Sequence, residues 1–517
     1  MSPKWPRLTL RRLLVGFVVL AVVLAGAAAA FVMTRTPGDI SHPDVEFRSE
    51  PPPTVTTAPA PTTTHAKKPE DTFVWPVYGY SLDRRRYLPA PATMRPPFMR
   101  LWAYHAKSLL EFSPIIVRDL LIVLDDGGRL IALNKHNGHV RWKRRIGTLA
   151  AESPAYDKGV VCVTVLNRAP GQPGRATCLR ARTGRTIWSE QLPSRAESSP
   201  LIFQGVVYFG SEDGTVYAMR VSNGKVLWRY HARGAVKGGL ALADGRLYFG
   251  DYAGRAYAIR REDGREVWNV GTNGAKFGLG SGRFYSTPAV AYGRVYLGNT
   301  DGFVYSFAAS SGKLAWRHGT GGYVYGSPAV AEVIKGRPAV YIGSYDGYFY
   351  ALDARSGSQI WRYYDGGKIS GSATVIGDIV YFSNIGKNTT TGLGGRTGQV
   401  VLRSKFGAFN PMVSDTKLMY QTGHSSLYGL RPLTHHATSS SSSHKGKGKA
   451  AERKAAAKRK AASRRKAAGK RKAAAKRKAA AKRKAAAKLR AKRRRACGWS
   501  VYRRAHRQQC RRLRHHR

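Results

Sequence analysis

Tryptophan recurs at intervals of 40 to 48 residues through the middle of this 517-residue chain. Each interval also holds a Ser-Pro or similar pair and short runs rich in Val, Tyr and Phe, and most hold an Asp-Gly turn. A self-similar unit of this length, built from short strands and tight turns, is typical of one four-stranded blade of a β-propeller. The predicted outer-strand positions are Trp102, Trp142, Trp188, Trp228, Trp268, Trp316 and Trp361, with Leu402 in the eighth place.

The order of these markers predicts how the ring closes. Trp102 is an outer-strand tryptophan that no inner strands precede, whereas residues 410–430 form three inner strands that no outer strand follows. Joining the two segments completes an eighth blade from both ends of the domain and leaves no open end to the ring. We therefore predict an all-β, eight-bladed propeller over residues 75–433.

The repeat resembles the pyrroloquinoline-quinone (PQQ) propeller family. The motif G-x-x-D-G-x-x-Y-A-L-x-x-x-x-G-x-x-x-W is clearest from Gly343 to Trp361 and recurs around the ring with graded decay. The resemblance implies the fold but leaves the function open, because the family includes quinoprotein dehydrogenases, a non-enzymatic outer-membrane assembly lipoprotein and many anchored propellers.

Family dehydrogenases use adjacent cysteines, a catalytic aspartate and Glu, Asn and Asp ligands to calcium. Here no two cysteines are adjacent, most repeat aspartates fall in turns, and the blades lack the long insertions that build a quinone pocket. We therefore expect no cofactor and no enzymatic activity. A quinoprotein dehydrogenase that holds PQQ with calcium is the alternative.

Residues that lead into the innermost strands are expected to ring the mouth of the central channel. Acidic, basic and tyrosine side chains there suit the binding of a peptide or a sugar, although a merely solvated rim is the simpler interpretation. The candidates are Glu111, Glu152, Glu197, Lys237, Tyr285, Tyr325 and Lys368.

Two cysteine pairs are candidates for disulfides. Cys162 aligns with the repeat residue Tyr208 and Cys178 with Tyr217, and we expect these two positions to lie opposite each other on neighbouring strands. This alignment predicts a disulfide between Cys162 and Cys178. Two reduced, buried thiols are the alternative. Cys497 and Cys510 are expected either to close a small loop or to lie in an unstructured terminus.

The N-terminal region predicts a membrane anchor. Residues 13–33 are apolar without a charge, long enough for one hydrocarbon core, and follow a basic stub at 1–12. Bases on that side place the stub in the cytoplasm and everything after residue 34 outside. A cleaved signal peptide is the alternative. The Pro- and Thr-rich segment 34–74 is predicted to be an extended, solvated linker.

The C-terminal region carries most of the formal net charge of +57. Residues 444–517 hold 33 Lys and Arg against one acid, and residues 454–488 repeat a Lys/Arg/Ala unit every six positions. Helical spacing spreads these charges all round the axis, so no apolar face exists. Residues 434–496 are therefore predicted to be a disordered tail, followed by a basic, Cys-bounded terminus at 497–517.

The tail resembles linker-histone Lys/Ala repeats, which points to phosphate backbones, but export argues against chromosomal DNA. We expect a single-pass membrane protein with its propeller outside the cell, acting as a binding or scaffold module. The propeller face is expected to bind a protein or glycan. The tail is expected to bind an anionic polymer, lipid or extracellular nucleic acid. After the scaffold module and the quinoprotein dehydrogenase, the third hypothesis is a nucleic-acid-binding protein whose tail lies in the cytoplasm.

Overall fold

Eight sheets, antiparallel except where β3 pairs in parallel with β29, form the propeller in the computed structural model. The structure describes residues 17–24, 38–50, 70–167, 173–272, 282–407, 409–410 and 412–433. Four strands precede the first complete blade: β1 (Ile40–Ser41), β2 (Val74–Trp75), β3 (Tyr87–Leu88) and β4 (Phe98–His105). The eight-bladed, all-β prediction is confirmed.

The first seven blades each contain four consecutive strands. Blades one and two are β5 (Ile115–Val117), β6 (Leu120–Asp125), β7 (Arg129–Asn134), β8 (Val140–Arg145), β9 (Ala155–Asp157), β10 (Val160–Val165), β11 (Gly174–Arg180) and β12 (Thr186–Leu192). Blades three and four are β13 (Leu201–Phe203), β14 (Val206–Gly210), β15 (Thr215–Arg220), β16 (Val226–His231), β17 (Ala241–Ala243), β18 (Arg246–Gly250), β19 (Arg255–Arg260) and β20 (Glu266–Gly271).

The remaining blades complete the ring. Blades five to seven are β21 (Ala289–Ala291), β22 (Arg294–Gly298), β23 (Phe303–Ala308), β24 (Leu314–Gly319), β25 (Ala329–Ile334), β26 (Arg337–Gly343), β27 (Tyr348–Asp353), β28 (Gln359–Tyr364), β29 (Thr374–Ile376), β30 (Ile379–Asn384), β31 (Thr389–Gly394) and β32 (Val400–Ser404). Blade eight is β33 (Met412–Ser414), β34 (Met419–Thr422), β35 (Ser426–Pro432) and then β4. The closure by strands from both ends of the domain is as predicted.

Burial within a blade explains the change in sequence from strand to strand. Blade one illustrates this: β6, with the sequence LLIVLD, is buried at every position, whereas β8, with the sequence VRWKRR, is buried only at Trp142. Inner strands have sheets packed on both faces and therefore need continuous apolar runs, while the outer strand faces water on one side. The outer-strand tryptophan is thus the main apolar anchor of each blade's rim.

Each repeat tryptophan packs on the next blade as well as on its own. The indole Nε1 of Trp316 in blade five donates to the carbonyl of Ala354 in blade six at 2.9 Å, and its ring lies over Gly357. The same arrangement recurs for the other six tryptophans, which cover Gly138, Gly184, Gly224, Gly264, Gly312 and Gly398. The regular spacing of tryptophan in the sequence therefore reflects one contact between neighbouring blades that recurs around the ring.

Blade seven departs from this rule for a topological reason. Its rim residue, Leu402, faces blade eight, in which β35 and β4 come from opposite ends of the domain. No turn joins these two strands, so the glycine that a tryptophan ring would cover does not exist. A groove of about 420 Å³ lies at this seam and is lined in part by Leu402, Phe406 and Tyr428.

The linker prediction for residues 34–74 is wrong for residues 38–50, which we call the strap. Strand β1 pairs with β24 as a fifth strand of blade five, and Phe47 stacks on Tyr292 with ring centroids 5.5 Å apart. The buried guanidinium of Arg294 donates from Nε to the carbonyl of Glu46 at 2.9 Å. Pro/Thr composition gave no sign of these contacts, because they depend on a few isolated side chains.

Residues 73–88, which we call the plug, run along the innermost strands around the central channel. Their carbonyls accept backbone hydrogen bonds of 2.8–2.9 Å from the first-strand regions of blades one, two, four, five, six and seven. Arg84 reaches the carbonyls that precede blade three, and the hydroxyl of Tyr78 donates to Asn410 in blade eight at 3.0 Å. The plug therefore ties all eight blades to one continuous segment.

The predicted membrane anchor falls largely outside the described residues. Residues 17–24 are helical, and among the residues that the structure describes no helix is long and apolar enough to cross a membrane. The predicted tail and terminus, from residue 434 onwards, also lie outside the described residues.

Candidate functional site at the channel mouth

One repeated position supplies the inner wall of the channel mouth. It is the residue four places before the first strand of each blade, and it is occupied by Glu111, Ala151, Glu197, Lys237, Tyr285, Tyr325 and Ser370 in blades one to seven. All of these except Ala151 line a cavity of about 220 Å³ whose wall also includes Tyr78 of the plug. The structure thus brings together five of the seven predicted rim residues.

A second repeated position surrounds the first. It lies in the turn between the second and third strands of a blade, one or two residues after the second strand ends, and carries Asp126, Glu212, Tyr252, Tyr345 and Ile385. The backbone N–H of each donates to the carbonyl of the residue six places before the first strand of the same blade, at 2.8–3.1 Å, which fixes the turn beside the mouth. Our sequence analysis did not predict this second position, although the turn motif of the repeat includes it.

A belt of hydroxyls connects the blades just inside the mouth. The Oγ1 of Thr287 accepts from the N–H of Gly239, the Oγ of Ser327 from the N–H of Thr287, and the Oγ of Ser372 from the N–H of Ser327, all at 2.9–3.0 Å. The hydroxyls of Tyr78 and Ser372 are hydrogen-bonded to each other, with their oxygens 2.8 Å apart. The Ser-Pro marker of the repeat therefore encodes inter-blade hydrogen bonds, and Tyr78 joins the belt to the plug.

Carboxylates occupy the side of the mouth formed by blades one and three. The Nζ of Lys237 lies 2.6 Å from Glu197 and 2.7 Å from Glu212, so the cation on this wall is already shared by two acids. Burial opposes the charge on Lys237, but the two carboxylates outweigh it and raise its pKa. Burial raises the pKa of Glu197, although Lys237 counteracts it.

Glu111 has no such compensation. Its carboxylate makes no hydrogen bond or ion pair with any residue that the structure describes, and Asn410 binds only its backbone carbonyl. Burial, together with the nearby charges of Asp126 and Glu197, raises the pKa of Glu111 to about 7. Burial and Asp125 raise the pKa of Asp126 to about 6. The mouth therefore holds a partly buried acid that titrates near neutral pH.

Tyrosines form the opposite side of the mouth, in blades four to six. Ring centroids are 6.2 Å apart for Tyr252 and Tyr285, 6.0 Å for Tyr285 and Tyr325, and 4.9 Å for Tyr325 and Tyr345. Tyr323 extends this arc to the outside and is 54% exposed. We call Tyr252, Tyr285, Tyr323, Tyr325 and Tyr345 the tyrosine arc. Blades one and five are opposite in an eight-membered ring, so Tyr285 faces Glu111 across the channel.

Two predicted rim residues lie elsewhere. Glu152 is one place later in the repeat than the wall position; its side chain is buried and accepts hydrogen bonds from the N–H and Oγ1 of Thr164, each at 2.7 Å. Lys368 is two places earlier, is exposed, and stands 5.4 Å from the ring of Tyr345 on the outer rim. The sequence alignment placed Glu152 one residue and Lys368 two residues away from the wall position, so neither side chain lines the cavity.

The structure joins Cys162 and Cys178 in a disulfide, with Cα atoms 4.1 Å apart. The alignment used to predict the pair is off by one residue, because Cys178 occupies the place of Ala218, opposite Tyr208, while Tyr217 lies opposite Phe209. The cysteines are nevertheless direct cross-strand partners. Cys497 and Cys510 lie outside the described residues.

The mouth does not fit a calcium-bound quinone. Calcium takes six to eight oxygen ligands, yet no three His, Cys, Asp or Glu side chains within the described ranges are grouped so as to hold a metal. Of the two acids on the inner wall, Glu197 is occupied by Lys237 and Glu111 belongs to a different blade. The residues present therefore do not favour a quinoprotein dehydrogenase, and we derive no redox step.

The eight blades, the tryptophan–glycine contacts and the repeat motif define a PQQ-like repeat β-propeller. The profile of the family described as outer membrane protein assembly factor BamB matches residues 149–276 and 233–430, which together span more than half of the chain. The chain belongs to this family.

Individual relatives are distant. Outer membrane protein assembly factor BamB of Yersinia pestis is 28% identical over 109 residues, which is 21% of this chain. The match spans about a quarter, 26%, of that relative. The crystal structure of BamB from Moraxella catarrhalis covers 66% of this chain and 99% of its own, with a TM-score of 0.53 and 19% identity.

Enzymes share the same fold. Quinohemoprotein alcohol dehydrogenase from Comamonas testosteroni covers 73% of this chain and 83% of its own, with a TM-score of 0.58 and 13% identity. At such identities the likeness to solved structures establishes the propeller alone, so function has to be argued from the channel mouth.

Proposed function

We propose that this chain is a non-enzymatic binding or scaffold module of the cell envelope, and that it docks a polypeptide at the mouth of its propeller channel. The observation that carries the proposal is the mouth itself, an open cavity of about 220 Å³ with the tyrosine arc on one side and carboxylates on the other. Aromatic side chains around a concave site with a few polar groups are typical of ligand-binding surfaces.

The placement of the plug supports this choice of face. The plug lies along the innermost strands, where its carbonyls take up the backbone donors of six blades. The backbone donors of these strands are therefore satisfied within the chain, and the side chains at the mouth are left for a partner. Membership of a family named for an assembly factor of the outer membrane agrees with an envelope protein that holds another polypeptide.

A photo-crosslinker in the tyrosine arc is expected to capture the partner. Benzoylphenylalanine at Tyr323, which is 54% exposed at the mouth, should give discrete adducts in irradiated envelopes, because partner residues lie within reach of it. The matched control is the same group at Leu227, which is 42% exposed near the start of β16, at the end of blade three opposite the turn that carries Glu212. Mass spectrometry of the adducts identifies what is bound.

Identical adducts from both positions, or none from Tyr323, would contradict docking at the mouth. Adducts that resist protease but yield to glycosidase would assign the mouth to a glycan in place of a polypeptide.

The anchor and the tail complete the proposal. Residues 13–33 would hold the chain in the membrane, and the strap begins only five residues later, so the propeller would sit close to the bilayer. Residues 444–517 would bind anionic polymers or lipid outside the cell by counterion release, without reading a sequence.

Retention on a heparin resin is expected to depend on the charge of the tail. The full chain should elute only at high salt, whereas a variant with the Lys and Arg of residues 454–488 replaced by Gln should elute at much lower salt, because each neutralised anion adds to the salt dependence. This variant keeps the length of the tail, so chain length is controlled. Equal elution salt for the two proteins would show that the bases of residues 454–488 do not hold the polyanion.

A further inference from the structure

The inner wall of the mouth presents an acid without a partner. Glu111 leads into β5 and lines the cavity, and among the residues that the structure describes none donates to its carboxylate. Burial of an unpaired carboxylate is unfavourable unless a cation or several donors compensate it. Among the described residues that line the cavity, Lys237 is the one cation, and Glu197 and Glu212 hold it at 2.6 and 2.7 Å.

The groups around Glu111 favour a positive ligand over a neutral or negative one. Asp126 approaches it from the β6–β7 turn and Glu197 from the segment before β13, and both are acids. From the opposite side Tyr285 presents an aromatic ring, which with Tyr325 forms part of the cavity wall. Aromatic faces attract ammonium and guanidinium groups, and this attraction grows when water is excluded.

The cavity has the size of one long side chain. About 220 Å³ is available between the acidic wall and the tyrosine arc, with Tyr78 of the plug in its wall. The hydroxyl of Tyr78 is engaged by Ser372 and Asn410, which holds this ring in place. A folded domain cannot enter such a space, but a lysine or arginine projecting from a bound polypeptide can.

Resting on the proposed function, we propose that the mouth recognises a basic side chain of its polypeptide partner, whose cation binds between the carboxylate of Glu111 and the tyrosine arc. The carboxylate supplies the charge-assisted hydrogen bond, and the rings of Tyr285 and Tyr325 cover the aliphatic stem and the cation. Glu197 and Lys237 shape the wall and leave Glu111 as the acid that the ligand neutralises.

Titration calorimetry of the full chain with two short peptides tests this assignment. At pH 8, acetyl-Ala-Lys-Ala-amide should bind at one site at least tenfold more tightly than acetyl-Ala-norleucine-Ala-amide, which differs only in the amine. The variant Glu111→Gln should weaken the lysine peptide about tenfold and leave the norleucine peptide unchanged. The control Glu262→Gln, at a side chain that is 74% exposed, should change neither.

The same site predicts a pH dependence that needs no variant. Because the pKa of Glu111 is raised to about 7, its carboxylate is charged at pH 8 and mostly protonated at pH 6. Affinity for the lysine peptide should therefore fall about fivefold between pH 8 and pH 6, and Glu111→Gln should remove this fall.

Equal affinities for the two peptides, or an affinity that is insensitive to both Glu111→Gln and pH, would overturn the assignment. If the lysine peptide fails but the Tyr323 crosslinks persist, the basic ligand is wrong and the polypeptide-binding mouth stands. If the crosslinks fail as well, the proposed function falls with it. Tight binding of a neutral oligosaccharide that ignores Glu111 would assign the cavity to a glycan.

Discussion

Replacing Arg84 by alanine is expected to lower the free energy of unfolding by about 4 kcal/mol, which is among the largest effects of any single substitution. The side chain is fully buried in the plug. Its guanidinium donates from Nε to the carbonyl of Leu240 at 2.8 Å, from Nη1 to that of Tyr78 at 2.5 Å, and from Nη2 to those of Ser199 and Pro200 at 3.1 and 3.0 Å.

The size of this effect follows from what the substitution leaves behind. Four carbonyls from the plug and from blades three and four lose their donor in a place that water does not reach, and each unsatisfied group costs about 1–3 kcal/mol before relaxation. Burial and the neighbouring Arg86 lower the pKa of Arg84 to about 9, so the guanidinium remains charged at neutral pH and its hydrogen bonds are charge-assisted.

Urea denaturation of the full chain, followed by tryptophan fluorescence, measures the loss. Arg84→Met keeps most of the volume and should lose nearly as much as Arg84→Ala, because hydrogen bonds and not packing dominate. The control Arg265→Ala, at a side chain that is 79% exposed, should stay within about 0.5 kcal/mol of the parent. A midpoint for Arg84→Met equal to that of Arg265→Ala would mean that the hydrogen bonds of Arg84 do not stabilise the ring.

The plug illustrates what sequence could not supply. Blade number and closure were predictable because Trp102 to Trp361 repeat a contact that every blade makes, and periodicity makes such a contact visible. Arg84 occurs once, outside the repeat, and its carbonyl partners carry no side-chain signature. The strap is similar, since β1 and Phe47 lie in a segment whose overall composition favours a linker.

The channel mouth falls between these cases. Glu111, Glu197 and Lys237 were predictable because the repeat fixes where the chain meets the channel. Glu152 and Lys368 were misplaced because the repeat fixes that position only to within one or two residues, and one residue is enough to turn a side chain away. Glu111 lacks a partner because Lys237 pairs with Glu197 and Glu212 instead. These ion pairs depend on distances between blades, which the sequence pattern of a single blade does not encode.

The contact between a tryptophan and the glycine of the next blade yields the second large prediction. Gly357 and Gly205 both have a φ of +76°, so alanine at either position introduces the same backbone strain of about 1 kcal/mol. A Cβ at Gly205 meets nothing within 4 Å, whereas a Cβ at Gly357 would lie 2.6 Å from Cδ2 of Trp316. Gly357→Ala should therefore cost about 3 kcal/mol and Gly205→Ala about 1 kcal/mol.

Trp316→Ala should cost about 4 kcal/mol, because this ring is fully buried and its Nε1 holds the carbonyl of Ala354. The double variant Trp316→Ala/Gly357→Ala separates the contact from general damage. With the ring gone, the new methyl at residue 357 no longer collides, so the double variant should cost at least 1 kcal/mol less than the two single changes added together.

Denaturation of the parent, the three single variants and the double variant completes this cycle. The contact between the tryptophan and the neighbouring blade would be contradicted by either of two results. One is that the losses in unfolding free energy of the two single variants add up to that of the double variant. The other is that Gly357→Ala and Gly205→Ala lose the same amount. The expected coupling instead explains why the tryptophan and the turn glycine recur together around the ring. It also explains why the tryptophan is replaced by Leu402 in blade seven, where the next blade has no such turn.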